Sequence, residues 1–255
     1  MPSEHDFPDI VHAPHPPLAD YFPNEDERRG WVRGIFDRTE GDYERLERAM
    51  ALGSGAWYRR QALARAGLRP GMRIVDVGTG TGLVAREAVR IVGDASAVTG
   101  VDPSTGMLAN ARLPAGVRLV QGSAEAIPLP DASADFLSMG YALRHISDLE
   151  TAFREFFRVL RPGGVVLVLE ITRPEGRART ALLKAYMRGV VPLLAKLLAR
   201  SDDSPQLMRY YWDTIEACAP PAGVMRTLAH AGFVDVTRHL ELGMFSEYRA
   251  VKPGA

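Results

Sequence analysis

The stretch Ile74-Val75-Asp76-Val77-Gly78-Thr79-Gly80-Thr81-Gly82 decides how this chain folds. An apolar run ends on an acid, and three alternating glycines then open a segment with helical patterning. In a parallel α/β sheet, such a turn at a strand end lets a ligand approach bare backbone. A helix starting near Thr81 offers its first, unpaired N–H groups to polar ligand atoms. The next apolar run, Ala97-Val98-Thr99-Gly100-Val101, ends on a second acid, Asp102. A carboxylate in that place can accept both hydroxyls of a ribose. Together the two strand ends read as a site for a nucleoside cofactor.

The turn also narrows the cofactor. A dinucleotide fingerprint needs Gly-x-Gly-x-x-Gly, and here Leu83 stands where the last glycine belongs. A P-loop is excluded because no Gly-Lys-Ser/Thr follows. Asp76-x-Gly-x-Gly-x-Gly resembles motif I of the class I S-adenosylmethionine (SAM) methyltransferases. That resemblance implies SAM as cofactor, with Gly78 and Gly80 under its methionine part and Asp102 on its ribose. It also implies a wider binding set of Tyr43, Asp76, Thr79, Gly82, Pro103, Ser104, Met107, Ser123, Ala124, Glu125 and Ser138.

A length of 255 residues suits one α/β domain with decorations. Net formal charge is zero, which removes any general drive toward nucleic acid. Arginine outnumbers lysine 28 to 3, but the acids balance it, so it reads as coding bias and not as a binding surface. The single cysteine, Cys218, cannot form an internal disulfide and fits a reducing, cytoplasmic setting. No apolar run approaches the ~18 residues of a membrane span, and the N-terminus lacks the apolar core of a signal peptide.

Strands alternate with helices along residues 73–171, which implies right-handed crossovers and a mostly parallel sheet. The expected strands are 73–77, 97–101, 117–120, 134–139 and 165–170, with Arg161-Pro162-Gly163-Gly164 as a turn before the last. Helices are expected at 83–92, at 104–112 with Ser104 as cap, and at 149–160. Residues 233–240 and 243–251 fit a closing hairpin, giving seven strands with helices on both faces. Residues 1–24, rich in Pro and His (His5, His12 and His15 among them), read as an extended arm; the His spacings match no metal motif, so no metal is expected. Residues 25–66 read as helices broken at Gly53-Ser54-Gly55, contributing to the active-site cover, and 67–255 as the SAM-binding domain. Residues 173–216 interrupt the alternation as a helical cap, with an apolar stripe through Leu182, Leu183, Tyr186, Val190, Leu194 and Leu197 and a kink at Pro192.

Beyond the glycine turn, residues 31–252 resemble the C-methyltransferases of ubiquinone and menaquinone biosynthesis. Ile35-Phe36-Asp37 through Tyr43, then Met50 and Arg59-Arg60, is similar to that family's N-terminal signature. Gln121 to Pro128 is similar to its adenine-contacting segment, and Met139 to Asp148 to its "Phe-Gly-Leu-Arg-Asn-Val" stretch. Leu169-Glu170-Ile171-Thr172-Arg173-Pro174 is similar to its "Glu-Phe-Ser-Lys-Pro". The chain departs from the pattern in places. Glu44 follows Tyr43 where the family has Asp, and Glu47 and Gly55 stand where it has Asn and His. Ser123 replaces an acid, and His145 replaces an Asn. The departures fall on the substrate side.

The resemblance implies methylation of a ring carbon on a hydroxylated aromatic or quinol-type molecule. That chemistry needs an electron-rich ring, most simply a phenolate. Arg144 is the candidate to stabilise the oxyanion and His145 the candidate to take the phenolic proton. The altered signature keeps a second reading open, an O- or N-methyltransferase of a specialised metabolite. A non-catalytic SAM-binding subunit is a third. Seven basic residues between Arg173 and Arg200 against one acid, Glu175, admit a peripheral contact with the inner face of a membrane, set against an ordinary solvated basic face. The sequence leaves monomer and homodimer both open.

Overall fold

The computed structural model describes residues 10–254 except 23, 51, 52, 200 and 202. His5, Pro2, Pro8 and Pro23 of the arm, and Arg200 and Asp202 of the cap, therefore lie outside the described residues.

Seven strands form one sheet. They are β1 (Ile74–Val77), β2 (Val98–Asp102), β3 (Arg118–Gln121), β4 (Ala134–Gly140), β5 (Leu160–Ile171), β6 (Val234–Glu241) and β7 (Phe245–Val251). Their spatial order is β3-β2-β1-β4-β5-β7-β6. The first five run parallel, and β7 enters antiparallel between β5 and β6. The order reverses between β1 and β4, so their carboxyl ends flank the switch point where open α/β sheets bind ligands.

Helices α3 (Leu83–Val92), α4 (Thr105–Ala109) and α5 (Leu149–Val159) follow β1, β2 and β4. Ser104 caps α4 as expected, its Oγ accepting the Met107 N–H at 2.9 Å. Asp148 caps α5 through the N–H groups of Glu150 and Thr151. Behind that cap, Leu149, Ala152, Phe153, Phe156 and Val159 form one buried stripe at helical spacing. Helix α2 (Gly55–Ala66) packs on α3, and α1 (Glu25–Met50) crosses above the carboxyl edge; the break between them falls at Gly53-Ser54.

Strand β5 starts five residues earlier than the sequence implies. Leu160 already pairs with Ala134, and a register shift follows before Phe136 meets Val165. Gly163, at φ 77°, takes the left-handed conformation that a bulge needs, and its N–H donates to the Lys252 carbonyl. The Pro-Gly-Gly run thus bends a strand and does not end one.

The cap holds α6 (Arg177–Ala185), a π-helical turn (Tyr186–Val190), α7 (Val191–Leu198) and α8 (Ser204–Ala217). Pro192 has no N–H, and its ring would crowd a regular turn before it; the widened turn at 186–190, with the Val191 N–H reaching the Tyr186 carbonyl, sits there instead. The extra residue shifts the helix phase. Met187, Val191 and Ala195 face inward, and Leu182, Val190 and Leu197 of the expected stripe face solvent. Helix α9 (Pro221–His230) returns the chain to the sheet.

The described part of the N-terminal arm is docked on the body. The Val11 N–H donates to Thr227 Oγ1 at 2.9 Å, the Leu149 N–H to the His12 carbonyl at 2.8 Å, and the Ala219 N–H to the Pro14 carbonyl at 2.7 Å. Val11, His15 and Phe22 are fully buried.

Candidate active site

A cavity of about 200 Å³ opens over the carboxyl ends of β1, β2 and β4, beneath α1 and α8. Its floor on one side is the glycine turn. Gly78 and Gly80 have φ of 67° and 54°, accessible to glycine and strained for most other residues. A Cβ on Gly78 would strike the Ala142 side chain, whereas the space beyond Gly80 is open. The turn is held from two directions. Gly78 and Thr79 donate their N–H groups to the Val101 carbonyl, and the Gly80 N–H donates to Asp102 Oδ2 at 2.8 Å.

Asp102 also accepts the Ser104 N–H on Oδ1 at 2.9 Å. Burial raises its carboxyl to about 6, partly offset by these two bonds. The carboxylate therefore stands ready at the β2 end to accept further hydroxyl donors. Thr81 Oγ1 lines the same cavity, is buried, and has no hydrogen-bond partner among the described residues. A buried hydroxyl without a partner beside bare glycine backbone and an acceptor carboxylate fits the amino-acid and ribose groups of SAM.

The expected cofactor residues separate into two groups. Gly78, Thr79, Gly80, Asp102, Pro103 and Ser104 line the cavity, as do Met107, Ser123, Ala124 and Glu125. Glu125 is tied to the next loop, accepting the Ser147 N–H at 2.8 Å. Asp76, Gly82 and Ser138 do not line it. Asp76 lies beneath the turn, fully buried, and accepts the Thr79 hydroxyl at 2.8 Å and the Ser138 hydroxyl at 2.6 Å. Its register partner on β4 is Ser138, which explains that bond. Burial lifts the Asp76 carboxyl to about 6. Gly82 leaves room for Leu113, which a Cβ would overlap. These three shape the turn from behind. The Tyr43 side chain lies outside the described residues.

The far end of the cavity is aromatic. Val32 and Phe36 come from α1, Tyr141 and His145 from the loop after β4, and Tyr211 from α8. The His145 ring stands edge-on to Phe36 at 5.2 Å between centroids and to Tyr211 at 5.9 Å, and stacks on Tyr210 at 5.4 Å. His145 Nδ1 bonds the Tyr210 hydroxyl at 3.1 Å, and Nε2 is buried with no partner among the described residues. Burial and the nearby Arg144 and Arg28 hold the imidazole well below its ordinary pKa, so it is neutral.

Arg144 is not where an oxyanion could meet it. Its side chain is fully buried and outside the cavity wall, ion-paired with Glu170 at the end of β5 and donating to Thr214 Oγ1 at 3.1 Å. Neighbouring strand ends bring the two charges together. The guanidinium lies within 5.1 Å of the Tyr211 ring centroid, and the Arg144 carbonyl accepts an Arg28 N–H at 2.8 Å. Arg28 also donates to His15 Nε2 at 3.0 Å, while His15 Nδ1 donates to the Pro16 carbonyl. Arg144 braces the loop that carries His145.

Sequence reasoning missed Val32, Arg33, Glu47, Tyr141 and Tyr211 as cavity residues. Phe36 and Arg59 also line it, and both sit in segments whose resemblance was visible. Tyr141 carries a signal only in three dimensions, a φ of 60° that a tyrosine rarely adopts. Side-chain bonds fix helix α1 over the cavity; among them, the Ser104 hydroxyl donates to Asp37, and Arg86 Nη2 donates to Glu44 at 2.8 Å.

Comparison with known proteins agrees with this geometry. The model of the ubiE/COQ5 methyltransferase family matches residues 23–252. The chain belongs to the ubiE/COQ5 methyltransferase family. It is 29% identical over 235 residues to the ubiquinone/menaquinone biosynthesis C-methyltransferase UbiE of Coxiella burnetii strain Dugway 5J108-111, covering 89% of this chain and 93% of that protein. It is 30% identical over 212 residues to the UbiE of Shewanella halifaxensis, covering 80% and 83%. Among solved structures, a SAM-dependent methyltransferase from Thermotoga maritima, described as a possible histamine N-methyltransferase, matches with a TM-score of 0.60 at 24% identity, over 86% of this chain and 98% of that one. Phosphoethanolamine N-methyltransferase 2 of Haemonchus contortus, solved with SAM, matches with a TM-score of 0.57 at 20% identity, over 77% and 53%. The chain is thus a SAM-dependent methyltransferase with the family's Rossmann-like fold.

Proposed function

We propose that this enzyme methylates a ring carbon of a hydroxylated aromatic or quinol-type molecule. The observation that carries the reading is the neutral, buried His145 with its unpartnered Nε2 in an otherwise aromatic and aliphatic wall. Phe36 and Tyr211 stand edge to face at 6.3 Å and offer an aromatic surface beside which a flat ring packs, and a ring hydroxyl supplies the donor that Nε2 lacks.

Bound SAM supplies an electrophilic methyl on its sulfonium. The chain orients the ring, excludes water and holds the hydroxyl proton. His145 accepts that hydrogen bond in the neutral form the reaction requires. Its depressed pKa makes it a weak proton acceptor, so it positions the hydroxyl more than it removes the proton. The Arg144–Glu170 pair keeps the loop in place from behind. Substitution at carbon transfers the methyl to the ring, releases one ring proton and leaves S-adenosylhomocysteine.

The UbiE relatives support a quinol as acceptor. The cap supports one delivered from a membrane: Leu182, Leu193 and Leu197 are 73%, 57% and 71% exposed, beside Arg179 and Lys196. Lys184 and Arg188 are held by Glu216 and Asp213 and add little to that face. The second reading, transfer to oxygen or nitrogen, draws on one observation, the His145 that stands where the family pattern has Asn.

A ring-deuterated quinol panel with labelled SAM separates the two. Carbon methylation loses one ring deuterium per methyl gained, read by mass spectrometry. Retention of every deuterium in a methylated product would overturn the carbon assignment.

A further inference from the structure

Two departures from the family pattern meet at one point in this molecule. Glu47 stands where the family has Asn, and Gly55 where it has His. Arg59, one turn beyond Gly55 on α2, donates from Nη1 to Glu47 Oε1 at 2.8 Å. Both charged side chains line the cavity. A Cβ on Gly55 would land on Glu47 Oε1 and would come within 3.1 Å of both terminal nitrogens of Arg59. A side chain at 55 would push the Glu47 carboxylate from its present place beside Arg59. With glycine there, a carboxylate–guanidinium pair sits on the cavity wall.

The pair is deeply placed. The Arg59 side chain is 4% exposed and that of Glu47 is 21% exposed. A buried ion pair contributes little net stability, because desolvation offsets the attraction. Its position beside a ligand cavity points to recognition. The other acids of the wall are committed elsewhere: Asp102 to two N–H groups at the ribose end, Glu125 to the Ser147 N–H. Helix α2 packs on α3, the helix that the glycine turn opens, so Arg59 belongs to the turn side of the cavity.

We infer that Glu47 and Arg59 form the subsite for the amino-acid end of SAM, with the α-ammonium on Glu47 and the α-carboxylate on Arg59. A zwitterion presents one positive and one negative group side by side, which matches an adjacent carboxylate and guanidinium. Arg59 meets the carboxylate with fixed, charge-assisted donors. Gly55 keeps the space open. The inference rests on the donor and is independent of the acceptor.

Calorimetry with ligands that differ only in the tail tests it. Arg59→Met is expected to weaken SAM about ten- to a hundredfold, and decarboxylated SAM hardly at all. Glu47→Gln is expected to weaken SAM on the same scale and to spare the α-keto analogue that lacks the ammonium. Gly55→Ala, a mild change for a helix, is expected to reproduce the loss by displacing the pair. All three variants should bind 5′-methylthioadenosine, which has no tail, as the wild type does; this also shows that they fold. Equal losses on the tailless nucleoside, or on both tail analogues, would overturn the subsite. Failure of the wild type to bind any adenosyl ligand would sink the donor assignment and the subsite with it.

Discussion

The two ends of the cavity are built differently. The donor end comes from short loops between residues 78 and 125, and much of its work is done by backbone: glycine φ angles, N–H groups and one carboxylate that ties them. The acceptor end gathers Phe36, His145 and Tyr211 from three distant segments and works through side-chain rings. Backbone geometry set by a strand end tolerates little change, whereas a wall of rings can be re-cut one residue at a time. The departures from the family pattern touch both ends: Asp102 and the glycines are intact, but Ser123, Glu47 and Gly55 differ on the donor side, and the wall of rings carries the new His145.

The largest expected effect lies behind the acceptor wall. Arg144→Met would leave Glu170 buried without its partner, and thermal unfolding should show a loss of about 3–5 kcal/mol. A stable variant would mean that the loop carrying His145 is not braced by this pair. At the donor end, Asp102→Ala should weaken SAM about a hundredfold or more, since a charged acceptor of several hydrogen bonds is lost. Gly80→Val should act similarly, through strained φ and a filled cradle. Unchanged affinity by calorimetry in either would misplace the donor end.

The pH dependence should divide the ends further. The Asp102 carboxyl is raised to about 6, so ionised Asp102 disfavours the empty fold as pH rises through that value, and its protonated form favours it below. Ribose hydroxyls favour the ionised form, so SAM affinity should run the other way. It should fall about fivefold between pH 6 and 5, with proton release on binding that sets in near pH 6 and grows below it. Asp102→Asn should flatten that profile. His145, held well below its ordinary pKa by burial and the nearby Arg144 and Arg28, should add no inflection near neutral pH. The smallest effect is expected for His145→Asn, which keeps an acceptor: turnover within about tenfold of the wild type, with SAM affinity unchanged. A thousandfold loss would make His145 the proton acceptor itself.

The glycine turn and Asp102 as cavity lining were legible because their signals are local. An acid closing an apolar run, and glycines where φ turns positive, can be read along the chain. The Ser104 cap and the seven strands were legible for the same reason. What failed was non-local or depended on phase. Arg144 looked available because its partner, Glu170, is 26 positions away on a strand whose adjacency appears only in the sheet order. The Pro162-Gly163-Gly164 run has turn composition, yet strand pairing on both sides carries β5 through it. The cap stripe was set at a uniform helical period, and one π-turn rotated it. Asp76 and Ser138 were placed at the cavity because strand ends usually point there; their mutual bond draws them under the turn. Tyr211 had no sequence signal at all.

The docked arm has a consequence for how the molecule matures. Val11 is fixed by Thr227, a partner 216 positions later in the chain. The segment around Val11 therefore cannot settle until residues more than 200 positions later have been made and folded. Until then Val11 lacks its partner, and the segment with His15, which Arg28 bonds while it holds the 143–145 loop, is not anchored. Docking of the arm is thus tied to the folding of α9, so the glycine turn can form before the segment that backs Arg28 is in place.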